Sequence, residues 1–154
     1  MQRLALLLAT CGNVGYVPIA PGTAGSAAAL ALLWALRRTE SAALEVAVLV
    51  VLSAAGVWSA GVAERHIGRT DPGVVVIDEV VGMLITLALL PVNVAGACVG
   101  FLLFRVLDTV KPWPAGRFEA LPGGFGVMAD DAMAAVYGHL IMRGLIALAP
   151  GWLA

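Results

Sequence analysis

Apolar residues in this chain come in long runs rather than in alternation, and short polar breaks separate the runs. Residues 4–9 form an apolar lead-in; longer runs cover 24–36, 42–63, 71–90, 92–110 and about 131–148. The breaks are Arg37-Arg38, Glu64-Arg65-His66, Pro91 and Lys111-Pro112-Trp113-Pro114. Runs of this length without period-two alternation predict helices, not strands. At about 1.5 Å per residue, 24–36 is short for a hydrocarbon core of about 30 Å, whereas 42–63 is long enough to span it. Residues 10–26, TCGNVGYVPIAPGTAGS, hold too much Gly and Pro for one long helix. Asp71-Pro72 reads as a helix start, because Asp can cap and Pro suits the first helical position. That start places Asp78 and Glu79 about two turns into a helix ending at Leu90. Asp130-Asp131 sits where the last helix is expected to begin. No repeat or low-complexity tract interrupts the pattern. The expected fold is all-α: a compact multi-helix bundle of about four to five hydrophobic helices, forming one domain over residues 1–154.

Composition makes that bundle a membrane protein. Hydrophobic residues are 61% of the chain and charged ones 12%, against roughly half apolar in soluble proteins. Mean hydropathy is +0.97. A formal net charge of −1, without any basic run, gives no footing for nucleic acid. Cys11 and Cys98 stand far apart with no CxxC spacing and read as reduced, structural thiols. The apolar stretch after Arg3 is short for a signal peptide, so residues 1–10 are expected in the mature protein. If five helices cross, Arg3, Arg65, Arg69, Lys111 and Arg117 share one side, and Arg37 and Arg38 the other. The Lys/Arg bias then makes the first side cytoplasmic. Trp58 and Trp113 fall near one interface, Trp34 and Trp152 near the other.

The sparse charge is concentrated. Six of the ten acidic residues are Asp71, Asp78, Glu79, Asp108, Asp130 and Asp131. A carboxylate within a membrane helix costs roughly 2.5–3.5 kcal/mol on insertion scales unless it is paired or holds a cation. Adjacent Asp78 and Glu79 cannot neutralise each other, so they point to a hard-cation site of oxygen ligands. The plainer reading pairs them with Arg105 or Arg65. Gly82, one turn after Asp78, would let another chain segment approach that face. Asp71 and Asp130-Asp131 could be helix caps, ligands, or both. Arg105, Asp108 and Lys111 recur at i, i+3 and i+6, so they lie near one helical stripe that could hold a phosphate beside a metal; alternatively they form an ion-pair ladder. Gly22, Thr23 and Ser26 open into a helix and could cradle an anion, although either hydroxyl could simply cap it. Gly124 and Gly126 offer a second phosphate-friendly loop. No cysteine-phosphatase loop, DxDx[TV] sequence, P-loop or GxGxxG occurs. His66 and His139 lack the surroundings of a histidine phosphatase.

Four motifs stand in one order: PIAPGTAGS, DPxxxxIDEVVG from Asp71 to Gly82, FRxxDxxKPWP from Phe104 to Pro114, and GGFGVMADD. Together they resemble the phosphatidylglycerophosphatase A family over roughly residues 10–136. Ala135 and Ala115 differ from that family's usual residues, and neither position carries charge. The resemblance implies a Mg²⁺-dependent phosphatase of the bacterial inner membrane that converts phosphatidylglycerophosphate to phosphatidylglycerol and phosphate. On that reading Asp71, Asp78, Glu79, Asp108, Asp130 and Asp131 are the metal set. One of Asp78, Glu79 and Asp131 is the expected base, with Lys111 also catalytic. Arg105, Lys111, Gly22, Thr23, Ser26, Gly124 and Gly126 would contact substrate. Two other classes fit the charge pattern: a small cation transporter or channel subunit, and a non-catalytic protein that binds anionic lipid. Oligomerisation is compatible with all three.

Overall fold

Side-chain caps and a glycine mark several helix ends. The Ser41 hydroxyl accepts from the Leu44 N–H at 3.2 Å and the Asn93 side chain accepts from the Gly96 N–H at 3.0 Å. Gly68, at φ +72°, closes a helix by donating its N–H to the Glu64 carbonyl, the left-handed ending that glycine favours. The computed structural model describes Met1–Ala154. In it the helices are α1 (Gln2–Ala9), α2 (Pro21–Arg37), α3 (Ala42–Ile67), α4 (Ile77–Leu87), α5 (Val94–Val110), α6 (Ala115–Phe118), α7 (Gly124–Leu148) and α8 (Pro150–Leu153), with a 3₁₀ turn at Val14–Tyr16. There is no strand, so the all-α expectation holds.

Four boundaries differ from those the sequence suggests. The fourth helix does not begin at Asp71-Pro72. Asp71 takes a left-handed backbone, φ +43°, and its N–H is held by Glu64 Oε1 at 3.1 Å. Val75 then closes a turn onto the Pro72 carbonyl, and the Val76 N–H bonds the Ala9 carbonyl at 2.9 Å. Only then does α4 start, so Asp78 and Glu79 lie in its first turn. It ends at Leu87 rather than Leu90. The last helix begins at Gly124, which puts Asp130 and Asp131 nearly two turns inside it and removes the capping role. The second begins at Pro21, so Gly22, Thr23 and Ser26 belong to its opening turns.

Helix α4 is the centre. Nine of its eleven residues are buried, and it packs against α2, α3, α5 and α7. Met83, Leu87, Phe104 and Met142 are fully buried in the largest core cluster. A Cβ on Gly82 would strike the Phe104 ring and come within 3.5 Å of the Asp131 carbonyl oxygen. Its missing side chain therefore admits both α5 and α7.

The outside is apolar and the inside is charged. Trp34, Val50, Val51, Leu102, Val106 and Leu140 are exposed, while Asp78, Asp108, Asp130 and Asp131 are buried. This reverses the usual soluble arrangement and fits a lipid surround. Helices α3 and α7 are long and apolar enough to cross a membrane. At 17 residues each, α2 and α5 reach about 26 Å, and the 11 residues of α4 cover about half a hydrocarbon core. Five full crossings are thus more than the helix lengths supply. One end of the bundle gathers Arg37, Glu45, Leu87, Asn93 and Leu153; the other carries the acidic residues.

Candidate active site: a buried carboxylate group

Three helices meet at the acidic residues. Val76's bond to α1 fixes where α4 begins and hence where Asp78 and Glu79 project. The Glu79 N–H donates to Asp78 Oδ1 at 3.0 Å. Helix α7 brings Asp131, and ligand oxygens from Asp78, Glu79 and Asp131 all lie within 4.8 Å of one another. Helix α5 brings Asp108, which is buried and joined to the group through Arg105. It also brings Arg105, whose Nη1 is 2.7 Å from Asp108 Oδ2 and 3.8 Å from Glu79 Oε1. The 2.7 Å contact lacks hydrogen-bond geometry, so Nη1 has no hydrogen-bond partner; Glu79 Oε2 and Asp131 Oδ2 also have none. Asp131 is 4% exposed and Asp78 6%. Buried carboxylate oxygens without partners are costly, and Glu79 Oε2 and Asp131 Oδ2 belong to a group of three carboxylates.

Asp130 and Lys111 form a neighbouring pair. Lys111, at the end of α5, donates to Asp130 Oδ2, and Asp130 Oδ1 accepts from the Asp131 N–H at 3.0 Å. Burial works against the Lys111 ammonium, but the Asp130 hydrogen bond and charge outweigh it and hold the proton more tightly than usual. Asp71 stands in the loop before α4, half-buried. Burial pushes its carboxyl upward, Lys111 pulls it down, and Asp130 pushes it up again.

The opening turn of α2 presses on the same site. A Cβ on Gly22 would overlap the Glu79 carboxylate and sit 3.1 Å from Arg105 Nη2. Thr23 is half-buried beside it. Ser26 is fully buried and its hydroxyl donates to the Gly22 carbonyl at 3.0 Å, so that hydroxyl serves the helix rather than an open cradle. Gly124 and Gly126 differ from expectation too. A Cβ on Gly124 would strike the Val57 carbonyl and Gly61 N of α3, and one on Gly126 the Leu121 and Glu119 carbonyls. Both glycines permit packing at those places, and the atoms they press on are backbone rather than carboxylate.

Two supporting residues escape the sequence reading. Glu64 holds the Asp71 loop; its only signal is an acid in the break after the long apolar run. Tyr137 Oη donates to the Trp113 carbonyl at 3.2 Å and ties the KPWP turn to α7, and no local pattern marks it. Chemically the group is an all-oxygen donor set with unpartnered, buried carboxylate atoms beside a guanidinium. A hard divalent cation fits such a set, and the guanidinium fits phosphate oxygens.

The relatives of known name are lipid phosphatases. The family profile described as "Phosphatidylglycerophosphatase A" matches residues 7–146. A Bacteroides thetaiotaomicron protein with the provisional name phosphatidylinositol-3-phosphatase is 38% identical over 146 residues, 90% of this chain and 91% of that protein. Phosphatidylglycerophosphatase A of Escherichia coli is 39% identical over 132 residues, 84% of this chain and 76% of its own. The Haemophilus influenzae protein of the same name is 33% identical over 138 residues, 88% and 85% of the two chains. No solved structure matches.

Proposed function

The chain belongs to the phosphatidylglycerophosphatase A family, a membrane-associated phosphatase, and from that membership we propose that it removes the terminal phosphate of phosphatidylglycerophosphate. The products are phosphatidylglycerol and inorganic phosphate, so the step belongs to phospholipid synthesis in a bacterial inner membrane. The observation that carries the reading is the Asp78–Glu79–Asp131 group with its two unpartnered carboxylate oxygens beside Arg105. A permeation path would need acids spaced along the bundle, whereas these gather at one end.

Asp78, Glu79 and Asp131 would hold Mg²⁺, which when bound supplies positive charge to the phosphate and acidifies a water. Arg105, already pressed against Glu79 and the start of α2, binds phosphate oxygens and meets the charge that develops on them. The first turn of α2 contributes free backbone N–H groups at Gly22 and Thr23. Lys111, kept protonated by Asp130, adds a second cation at the mouth. Hydrolysis breaks the terminal P–O ester bond. The proton released by the incoming water goes to a carboxylate of the group, and the departing lipid alkoxide takes one up. The site faces the cytoplasm on the Lys/Arg bias.

Phosphate release by the purified chain tests this, with phosphatidylglycerophosphate and phosphatidylinositol 3-phosphate compared in mixed micelles. Turnover of the first that stops with EDTA and returns with Mg²⁺ is expected. Full turnover in exhaustively chelated buffer would overturn the metal assignment, and preference for the inositol lipid would overturn the substrate.

A further inference from the structure

At the end of the bundle away from the carboxylates, one cation is left over. Arg37 there is met by Glu45 and the Leu87 carbonyl, and Arg38 stacks on Trp34. Arg143 forms no ion pair and stacks on no ring. It sits within α7, a helix long and apolar enough to cross the membrane. Along that helix it lies about 18 Å beyond Asp131 and about 8 Å short of Leu148. Leu140, one turn earlier, is 61% exposed, so the exposed Arg143 stands on a lipid-facing stripe. A lone guanidinium there is costly until an anion or water receives it.

The cavity beside Arg143 separates those two partners. It has a volume of about 550 Å³ and is lined by Arg143 and His139 with Leu90, Pro91 and Ile146. Helix α4 stops at Leu87, and the chain turns back there while α7 runs on to Leu148. His139 precedes Arg143 by four residues and shares its helical face. Its Nδ1 lies 3.2 Å from the Ile85 carbonyl. A carbonyl only accepts, so Nδ1 carries the hydrogen, and in the neutral ring Nε2 is left as an acceptor. The pair thus offers a forked donor to a phosphate and an acceptor to a hydroxyl. Water would satisfy both groups but would also wet the apolar walls. A lipid satisfies the polar groups and covers the walls.

We infer that this cavity binds an anionic phospholipid of the leaflet away from the carboxylates. Its phosphate sits on Arg143, a headgroup hydroxyl on His139, and an acyl chain along Leu90, Pro91 and Ile146. Basic pockets between membrane helices hold lipid headgroups in this way. The site is separate from the carboxylate group and needs no metal.

The test follows the thermal midpoint of the full chain in neutral detergent micelles as lipid is added. Phosphatidylglycerol is anionic with a hydroxyl-bearing headgroup; phosphatidylcholine has the same phosphate but a choline that cancels its charge. At about ten times its dissociation constant, phosphatidylglycerol should raise the midpoint by about 3–6 °C, and phosphatidylcholine by far less. Arg143→Leu removes a charge from an apolar helix, so it should fold and lose most of that rise. Arg38→Gln, a cation of the same end outside the cavity, should keep it. Phosphatidylglycerol is also the product proposed for the carboxylate site, so a full rise in Arg143→Leu would place the lipid there and overturn the inference. An equal rise with phosphatidylcholine, or none with either lipid, would overturn it too. Equal loss in Arg38→Gln would show general charge attraction instead of a site. An equal rise with inorganic phosphate would replace the lipid with a small anion. Should Arg143→Leu fail to fold, Arg143→Gln carries the same expectation in the same assay.

Discussion

Among single residues, Asp131 is buried, shares space with Asp78 and Glu79, and keeps one oxygen unpartnered. Because α7 begins at Gly124, Asp131 has no capping duty for an asparagine to preserve. Asp131→Asn should therefore lower phosphate release by about a hundredfold or more, as loss of general acid–base or metal-holding groups does, at normal detergent-solubilised yield. Near-normal activity at normal yield would take Asp131 out of the site. Gly22 supplies a sharper steric test. Gly22→Ala drives a methyl into the Glu79 carboxylate, so activity should drop at least about tenfold while yield holds. Gly144 has open space around it, so Gly144→Ala should leave activity unchanged and, with up to about 1 kcal/mol of helix propensity gained, leave the thermal midpoint equal or higher.

At the level of elements, α7 does two jobs. Its second and third turns carry Asp130 and Asp131, and its first turn lies backbone-to-backbone on α3, where Gly124 meets Val57 and Gly61. The contact can reach that closeness only with no Cβ at Gly124. Gly124→Ala must push the helices apart, with a cost of the overpacking kind, about 1–3 kcal/mol. A lowered thermal midpoint is expected. Once folded, the variant should still bind metal, since Gly124 touches no carboxylate. An unchanged midpoint would mean that α3 and α7 are not packed this way. Helix α4 shows the opposite logic. Short and buried nearly all round, it owes its place to neighbours rather than to length, so its first turn can hold two acids that a lipid-facing helix could not.

The whole molecule is built as an inverted protein, with apolar flanks and an acidic end. All four tryptophans are exposed. Arg38 stacks on Trp34 at one end and Arg117 on Trp113 at the other, as expected of residues at two membrane interfaces. Ala120 and Ala42 are exposed at opposite ends. In a background with Cys11 and Cys98 replaced by serine, Ala42→Cys in intact cells should react with a membrane-impermeant thiol reagent and Ala120→Cys should not. The reverse pattern would place the carboxylate end outside the cytoplasm.

Much of this was readable from the chain alone. Long apolar runs could only become helices, since unpaired backbone is untenable in lipid. Carboxylates within such runs had to find partners, which marked Asp78, Glu79 and Asp108, whereas Asp130 and Asp131 stood out only as an acidic pair where a helix was expected to begin. The i, i+3 spacing of Arg105 and Asp108 already put them on one face. Helix starts were less legible, because distant bonds set them. Val76 is tied to Ala9 and Asp71 to Glu64, and neither partner is visible in a local window. The glycines divide in the same way. Gly22 faces the acids while Gly124 and Gly126 face other backbone, a distinction that depends on which neighbour fills the missing Cβ. Tertiary structure alone joined Asp131 to Asp78 and Glu79. Burial forces acids to gather, but only the packing of α4, α5 and α7 around Gly82 decides which of them meet.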